Sequence, residues 1–351
     1  MQGVKRFLIG IFGILILGCS PDYKVLESVE SISLITDKSV KISGETIFFT
    51  VTTNGGNDIT DIANIYVNGN LIEGGSFTPS TLGDFEAKAE YLGVWSSLIT
   101  FRFHDGSETN YLKRVLIEDY TGTWCGNCPR VSFAIERVFE QTSNAVAVGI
   151  HRSSSNPADA NYDPYNFDSS ELEAILNMSG YPKALLNRMT RWTPLEQNNI
   201  TQVINFTQGA NPKLGLAMDV ELINQQLQIE VKTQFSQNFS NLRLVVYVLE
   251  NGLIYDQENY TTYFGGTNPI PNFVHDHVLR ACLTPLMGEP IAENQTQVGQ
   301  TFIRNFNVAL PANISDPSKI EIVAFITNGG DHKAINVRKA LPGDQQDFET
   351  L

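Results

Sequence analysis

The stretch from Arg114 to Glu136, RVLIEDYTGTWCGNCPRVSFAIE, joins three local patterns. The aliphatic residues at 115–117 are typical of a buried strand, whereas apolar residues recur at helical spacing between positions 133 and 139. Two cysteines lie in the short loop between these patterns. Pro129 fits a first helical turn, where its missing N–H would have no intrahelical partner. The stretch therefore predicts a strand, a CxxC loop and an amphipathic helix that begins near Cys128.

The position of the two cysteines predicts reactive sulfur chemistry. Unpaired amides and the helix dipole at a helix N-terminus favour a thiolate, so we expect Cys125 to be more acidic than a free thiol of pKa about 8.5. Two other interpretations stay open. A zinc half-site would need further ligands, and the sequence contains no second CxxC. An inert structural disulfide also fits, because an oxidising compartment would bridge the pair whether or not it turned over.

The motif resembles that of a known protein family. Trp124, the CxxC, Pro129 and the preceding strand together resemble the thioredoxin superfamily. More narrowly, TGTWCGNCP at 121–129 is similar to the thioredoxin-like twenty-eight-kilodalton outer-membrane lipoprotein family of the Bacteroidota. The stretch NFVHDHVLRACLTPLMGEPI at 272–291 resembles the same family, so the likeness covers roughly 112–341. The resemblance implies a thioredoxin-fold centre between β-rich segments, and it implies no particular substrate.

The resemblance also implies site residues beyond the cysteines. The superfamily carries a cis proline that faces the CxxC, and Tyr181-Pro182 stands in that place. It carries a buried acid six residues before the first cysteine, here Asp119, which could take the proton of the second thiol. Glu118 remains the alternative, since alternation along a strand turns only one of the two acids inward and leaves the other solvated.

The expected site therefore has two parts. The expected catalytic residues are Cys125, Cys128, Pro182 and Asp119. The residues expected to border the edge where an extended substrate would pair are Trp124, Tyr181 and His151.

Length and charge limit the partners of the chain. The 351 residues suggest two or three domains, at about 150 residues per domain. Lys and Arg total 24 against 38 Asp and Glu, and the resulting net charge of −14 argues against a nucleic-acid partner held through its phosphates. After the N-terminus, no apolar run reaches the roughly 18 residues that a transmembrane helix needs.

The N-terminus has the pattern of a secretory signal. Two basic residues precede an apolar run over 7–17, which is too short to span a bilayer and ends in Gly18-Cys19. A cysteine after a small residue in this place is similar to a bacterial lipobox, which would make Cys19 the lipidated first residue of the mature protein. Ile16 and Leu17 depart from the usual lipobox residues, so an ordinary signal with an unrelated cysteine remains the alternative.

Hydrophobic periodicity predicts a multidomain α+β fold. Short alternating strands indicate an immunoglobulin-like β-sandwich first, and a C-terminal β-rich domain last. The period changes between them, where we expect a thioredoxin-like α/β domain whose last helix starts at Thr193-Pro194. The predicted ranges are a signal peptide at 1–18, a lipidated tether at 19–30, the sandwich at 31–107, the thioredoxin-like domain at 112–209 and a C-terminal β-sandwich-like domain at 212–351.

No metal site or cofactor is predicted. The run at 159–163 begins like a calcium loop, but the glycine and the acid that such a loop needs further on are absent. His275 and His277 could hold a metal with Cys282 if both histidines faced one side of a strand. A lone H-x-H lacks the further ligands of a closed site, so structural hydrogen bonds are the preferred interpretation, with Cys282 as a small buried hydrophobe.

These features predict a lipid-anchored protein of the cell envelope, located in the outer membrane. Its predicted activity is thiol–disulfide exchange. Cys125 attacks and Cys128 resolves, with envelope proteins that carry thiols or disulfides as partners. A second hypothesis is a non-catalytic surface or assembly lipoprotein in which the CxxC is a permanent disulfide and the β-rich domains bind partners. The uncharged Gly126-Asn127 pair indicates no direction of exchange.

The signal pattern predicts acyl chains on Cys19 in the mature protein. Mass analysis of the mature N-terminus tests this expectation. Cys19→Ser should release the protein from the membrane, because the lipid is its expected attachment. An unmodified terminus, or normal membrane retention of the serine variant, would contradict the prediction.

Overall fold

The computed structural model describes residues 29–176 and 180–351. The predicted signal peptide, Cys19 and all but the last two residues of the predicted tether lie outside these ranges. Among the described helices, none is long and apolar enough to cross a bilayer.

The N-terminal part of the described chain consists of two facing sheets. They have the orders β1-β3-β6 and β2-β9-β7-β4-β5, with β8 beside β7. Every second residue of β7 from Phe85 to Ala89 is buried in a shared apolar core. Asn68 and Gly69 both have positive φ, as the tight turn between β4 and β5 requires. The strands are β1 (Ile32–Thr36), β2 (Val40–Ile42), β3 (Ile47–Thr53), β4 (Asn64–Val67), β5 (Asn70–Leu71), β6 (Ser76–Phe77), β7 (Gly83–Tyr91), β8 (Val94–Trp95) and β9 (Ile99–His104).

The remaining elements follow without a long interruption. The middle of the chain contains β10 (Val115–Thr121), α1 (Pro129–Gln141), β11 (Ala145–His151), α2 (Ser170–Ile175), β12 (Lys183–Leu186), β13 (Thr190–Arg191) and α3 (Ile200–Phe206). The last part contains β14 (Leu214–Ile223), β15 (Gln226–Phe235), β16 (Leu242–Glu250), β17 (Leu253–Gln257), β18 (Ile270–His275), β19 (Val278–Cys282), β20 (Glu289–Pro290), β21 (Thr301–Ala309), β22 (Ile320–Asn328) and β23 (Ala334–Ala340).

One nine-stranded sheet contains strands from both of these parts. Its order is β13-β12-β10-β11-β19-β16-β22-β23, with β20 beside β16. The pairs β10–β11 and β11–β19 are parallel, whereas β10–β12, β19–β16 and the pairs beyond β16 are antiparallel. β14, β15 and β21 form a second sheet, whose apolar face packs on β16 and β22. β17 and β18 form a hairpin.

The predicted fold class is wrong. The described residues contain 23 strands against three α-helices of at most 13 residues, and the strands of 112–209 form no separate sheet of their own. They continue through β19 into the C-terminal strands, because an edge at β11 would leave backbone groups unpaired. The sequence pattern missed this because periodicity reports local structure and not which distant strands pair. The domain ranges stay a prediction.

The predicted start of the last helix is also wrong. α3 begins at Ile200, and a single 3₁₀ turn precedes it. The side chain of Asn199 donates to the carbonyls of Thr193 and Leu195, at 3.2 and 3.0 Å. These bonds hold residues 193–195 in a turn instead of a helix.

A buried ion pair ties β10 to β16. Nη2 of Arg188 lies 3.1 Å from Oε1 of Glu118 and 2.6 Å from the hydroxyl of Tyr247, and all three side chains are fully buried. The guanidinium also stacks over the ring of Phe325. The expectation that one of the two adjacent acids of β10 is solvated is therefore wrong, because the sheet is covered on both faces at this strand.

Replacing Arg188 with methionine should lower the free energy of unfolding by about 3–5 kcal/mol, because Glu118 would keep a buried charge without its partner. Urea denaturation measures the difference. Glu289→Gln removes the partner of Arg304 in a half-exposed pair, and this control should cost less than about 1 kcal/mol. Equal small losses in both variants would contradict the importance of the buried pair.

Candidate functional site

The two cysteines of the CxxC form a disulfide at the N-terminus of α1. The helix begins at Pro129, directly after Cys128, as the sequence predicted. Cys125 is 5% exposed and Cys128 is 1% exposed. The carbonyl of Gly122 accepts a hydrogen bond from the Cys125 amide at 3.0 Å, and the Cys125 carbonyl accepts one from the Cys128 amide at 3.0 Å. The loop is therefore a compact turn whose sulfurs are almost completely buried.

A segment from the C-terminal part of the chain covers this loop. We call residues 257–264 the cover segment. The amide of Glu258 donates to the Thr123 carbonyl at 2.8 Å, and the amide of Tyr260 donates to the Gly126 carbonyl at 2.6 Å. Nε2 of Gln257 lies 3.3 and 3.1 Å from the carbonyl oxygens of Gly122 and Cys125. Four carbonyl groups of the loop, at positions 122, 123, 125 and 126, thus accept hydrogen bonds from residues 257–260.

Aromatic packing fixes the cover segment in place. The ring of Tyr260 lies on Gly126, where an added Cβ would come within 2.4 Å of the ring. The ring of Tyr263 stacks on Phe133 of α1, with centroids 4.5 Å apart. Position 126 therefore requires glycine in this arrangement. The cover segment was not predicted because about 130 residues separate it from the CxxC and its composition gives no sign of this contact.

The aromatic residues expected at the substrate edge lie together. The rings of Trp124 and Tyr181 are 5.7 Å apart, and the indole N–H of Trp124 donates to the Arg152 carbonyl at 3.1 Å. The Tyr181-Pro182 peptide is cis. The next residue, Lys183, pairs with Tyr120 of β10, so the proline lies at the end of β10 that leads into the CxxC.

Asp119 is a buried carboxyl group with an unpaired oxygen. It is 4% exposed, and within the described part of the chain its Oδ1 has no partner. Burial raises the pKa of Asp119 well above its usual range, and the nearby charge of Glu196 adds to the increase while Arg130 opposes it. Glu196 is itself paired with Arg130, at 2.7 Å. Burial therefore favours the protonated form of Asp119, which can hold a proton inside the protein.

His151 is oriented by a second buried acid. Nδ1 of His151 lies 2.9 Å from Oδ2 of Asp163, which also accepts the amide of Thr123 at 2.9 Å. Burial would raise the pKa of Asp163, but the hydrogen bond and charge of His151 lower it below its usual value. Asp163 thus connects His151 to the CxxC loop. The sequence analysis considered Asp163 only as a possible calcium ligand and missed this role.

The histidines of the H-x-H do not share one strand face. β18 ends at His275, and His277 has a φ of 57°, so the strand is interrupted between them. Nδ1 of His277 lies 3.2 Å from Oε1 of Glu321, and the thiol of Cys282 contacts Thr284. Burial raises the pKa of the Cys282 thiol. Among residues 29–176 and 180–351, no group of three or more His, Cys, Asp or Glu side chains could hold a metal.

Comparison with family models identifies the family of this chain. The family model described as Outer membrane protein Omp28 matches residues 169–346, which is just over half of the sequence. The chain belongs to the Omp28 family. Membership makes it an outer-membrane protein of the cell envelope, in agreement with a lipid anchor.

Comparison with solved structures shows proteins to which this chain is similar. HBP35 of Porphyromonas gingivalis is 15% identical, with a TM-score of 0.52 over 68% of this chain and 79% of that chain. A domain of the outer membrane lipoprotein Omp28 from Porphyromonas gingivalis is 15% identical, with a TM-score of 0.25 over 38% of this chain and 91% of that chain. No curated protein sequence matches this chain. The β-rich HBP35 likeness agrees with the correction of the fold class.

Asp119→Asn should stabilise the Omp28-family chain at neutral pH, and the gain should grow as pH rises. The raised pKa means that the folded state keeps a proton that the unfolded state, with a carboxyl pKa of about 3.9, releases. Above that value, the free energy of unfolding of the wild type therefore falls by about 1.4 kcal/mol per pH unit until the folded-state pKa is reached. The amide variant has no carboxyl group at this position and does not lose this free energy.

Urea midpoints of the wild type and the variant, taken from about pH 4 to pH 8, measure this difference. Asp61→Asn, at an exposed position, controls for the substitution itself. Parallel pH profiles for wild type and Asp119→Asn would show that Asp119 is not protonated in the folded state.

Proposed function

We propose that this chain is an outer-membrane lipoprotein with a non-catalytic binding or assembly role, and that Cys125–Cys128 is a structural disulfide. The observation that carries the proposal is the cover segment. It bonds to the carbonyls on both sides of Cys125 and places the ring of Tyr260 on Gly126. A disulfide that exchanges with other proteins needs an approach path for a foreign sulfur.

In this conformation the disulfide offers little surface to an incoming sulfur. An incoming thiolate must reach one sulfur of the pair, and both cysteines are at most 5% exposed. A partner polypeptide would also need free backbone groups at the loop. The carbonyls of Thr123 and Gly126 are already bonded to Glu258 and Tyr260. These internal contacts thus make the two carbonyls unavailable to a partner.

The disulfide has a local structural effect. Its loop contains only four residues, and the chain-entropy model gives about 2 kcal/mol for such a short loop. That is too little to account for the stability of a chain of this length. We propose instead that the bridge fixes the CxxC turn, so that its carbonyls stay in place for the cover segment.

Exposed apolar side chains support a binding role. Phe48, Leu92 and Trp95 of the N-terminal sheets are 56, 76 and 55% exposed. The rings of Trp95 and Tyr66 lie 5.4 Å apart and form one aromatic surface. Aromatic residues of this kind are enriched at protein interfaces.

The buried acid favours a second candidate function, thiol–disulfide exchange on envelope proteins. In that reaction, the Cys125 thiolate attacks a partner disulfide and expels one partner thiolate, which forms a mixed disulfide. The Cys128 thiol then passes its proton to the ionised form of Asp119, the form that burial disfavours, and its sulfur attacks Cys125 and displaces the second partner thiolate. The CxxC ends as a disulfide and the partner as a dithiol. The cover segment would have to move before this could begin.

The reduction potential of the Cys125/Cys128 pair separates the two functions. We expect a value below about −300 mV, as for structural disulfides, because the cover segment favours the closed loop. Equilibration of the mature protein with thiol buffers of known potential measures it. A value between about −270 and −120 mV would favour exchange.

A trapping experiment provides an independent check. Exchange predicts that Cys128→Ser captures envelope proteins on Cys125 and that Cys125→Ser captures few, because only the first sulfur attacks. The structural function predicts no capture by either variant. Cys282→Ser, which leaves the CxxC intact, is the matched control.

A further inference from the structure

A cavity of about 140 Å³ lies beside the CxxC loop, between α1, the ends of β10 and β11, and β18. Its walls contain the apolar side chains of Ile135, Phe139, Ala147 and Phe273. Its polar lining contains Asp119, His151, His275 and Gln257. The lining therefore combines apolar and hydrogen-bonding side chains.

The polar lining has unused hydrogen-bonding capacity. Nε2 of His275 lies 3.3 Å from the carbonyl oxygen of Tyr255, so this nitrogen carries the proton and Nδ1 is left as an acceptor. Nδ1 of His151 is engaged by Asp163. Within the described residues, Oδ1 of Asp119 has no partner at all. Buried polar groups are normally hydrogen-bonded, so Oδ1 of Asp119 and the acceptor nitrogen of His275 can bond to a molecule that enters the cavity.

The electrostatic surroundings disfavour an anion. Burial lowers the pKa of His275 to about 3, with the neighbouring His151 adding to the decrease, so this histidine is neutral at neutral pH. Burial also favours the uncharged form of Asp119. Glu136 and Asp276 line the cavity as well, and their acidic side chains repel an anion. An anion would lose its hydration without gaining an opposite charge inside.

The size of the cavity limits its occupant to about one six-membered ring. An apolar protein cavity of about 150 Å³ is large enough to bind benzene. The volume here is similar, and the acceptor nitrogen of His275 adds a place for one hydroxyl or N–H donor. Val274, which is 50% exposed, lines the same cavity and marks an entrance from solvent that does not pass through the cover segment.

We infer that this cavity is a binding site for a small, neutral molecule that combines a ring-sized apolar body with one hydrogen-bond donor, such as a phenol. The apolar body packs against Phe139 and Phe273, and the donor bonds to His275. The inference goes beyond the proposed function, because it needs neither an exchanging nor a permanent disulfide.

Three probes test the inference on the purified, full-length mature protein in detergent. Phenol has the ring and the donor, benzene lacks the donor, and benzoate carries a charge. Saturation-transfer NMR against the same detergent without protein should show phenol binding about three- to tenfold more tightly than benzene, as expected for one hydrogen bond. Benzoate should not bind.

Two variants locate the site. Val274→Trp should block the entrance and abolish binding of phenol and benzene, whereas Val298→Trp, at an exposed position away from the cavity, should leave binding unchanged. His275→Phe should reduce phenol binding to the level of benzene. The ring contacts of His275 with Phe273 and Tyr165 allow an aromatic replacement there.

Each contrary result overturns the inference. Absence of phenol binding would mean that the cavity holds only water. Equal binding of phenol and benzene would exclude a role for the polar lining. Unchanged binding in Val274→Trp would place the probes elsewhere, and this variant remains decisive if His275→Phe does not fold, because residue 274 is half exposed.

Discussion

The pairing of β11 with β19 is the contact on which the other features of the molecule depend. It is a short parallel junction, in which Gly149 pairs with Val278 and its amide donates to the His277 carbonyl at 2.8 Å. Through this junction the strands around the CxxC and the C-terminal strands become one sheet. The same junction places β18 and the residues before it beside α1. Both the cover segment and the cavity result from that placement.

Local features were predictable from the sequence, and long-range contacts were not. The strand before the CxxC, the helix start at Pro129 and the cis bond before Pro182 follow from short patterns or from the family resemblance. The cover segment could not be found in this way. Its backbone amides bond to the CxxC loop, and a backbone amide does not depend on the identity of the side chain. The residue types at Glu258 and Tyr260 therefore give no indication of the contact.

Charged residues of the core were predicted least well. Alternation along β10 correctly separates Glu118 from Asp119 onto opposite faces, but it cannot show that both faces are covered. Glu118 is paired with Arg188, whereas Oδ1 of Asp119 has no partner among the described residues and burial raises the pKa of Asp119. The surroundings of these two neighbouring acids thus differ because of a partner about 70 residues away, which local sequence does not indicate.

The strand order also has a consequence for the time course of folding. β11 is separated from its sheet neighbour β19 by more than a hundred residues, so the sheet closes late in a chain that is exported from its N-terminus. The CxxC leaves the export channel well before the cover segment. Its two thiols are therefore open to the oxidants of the compartment while the covering residues are still absent. The disulfide can therefore form before the C-terminal strands are in place to cover it.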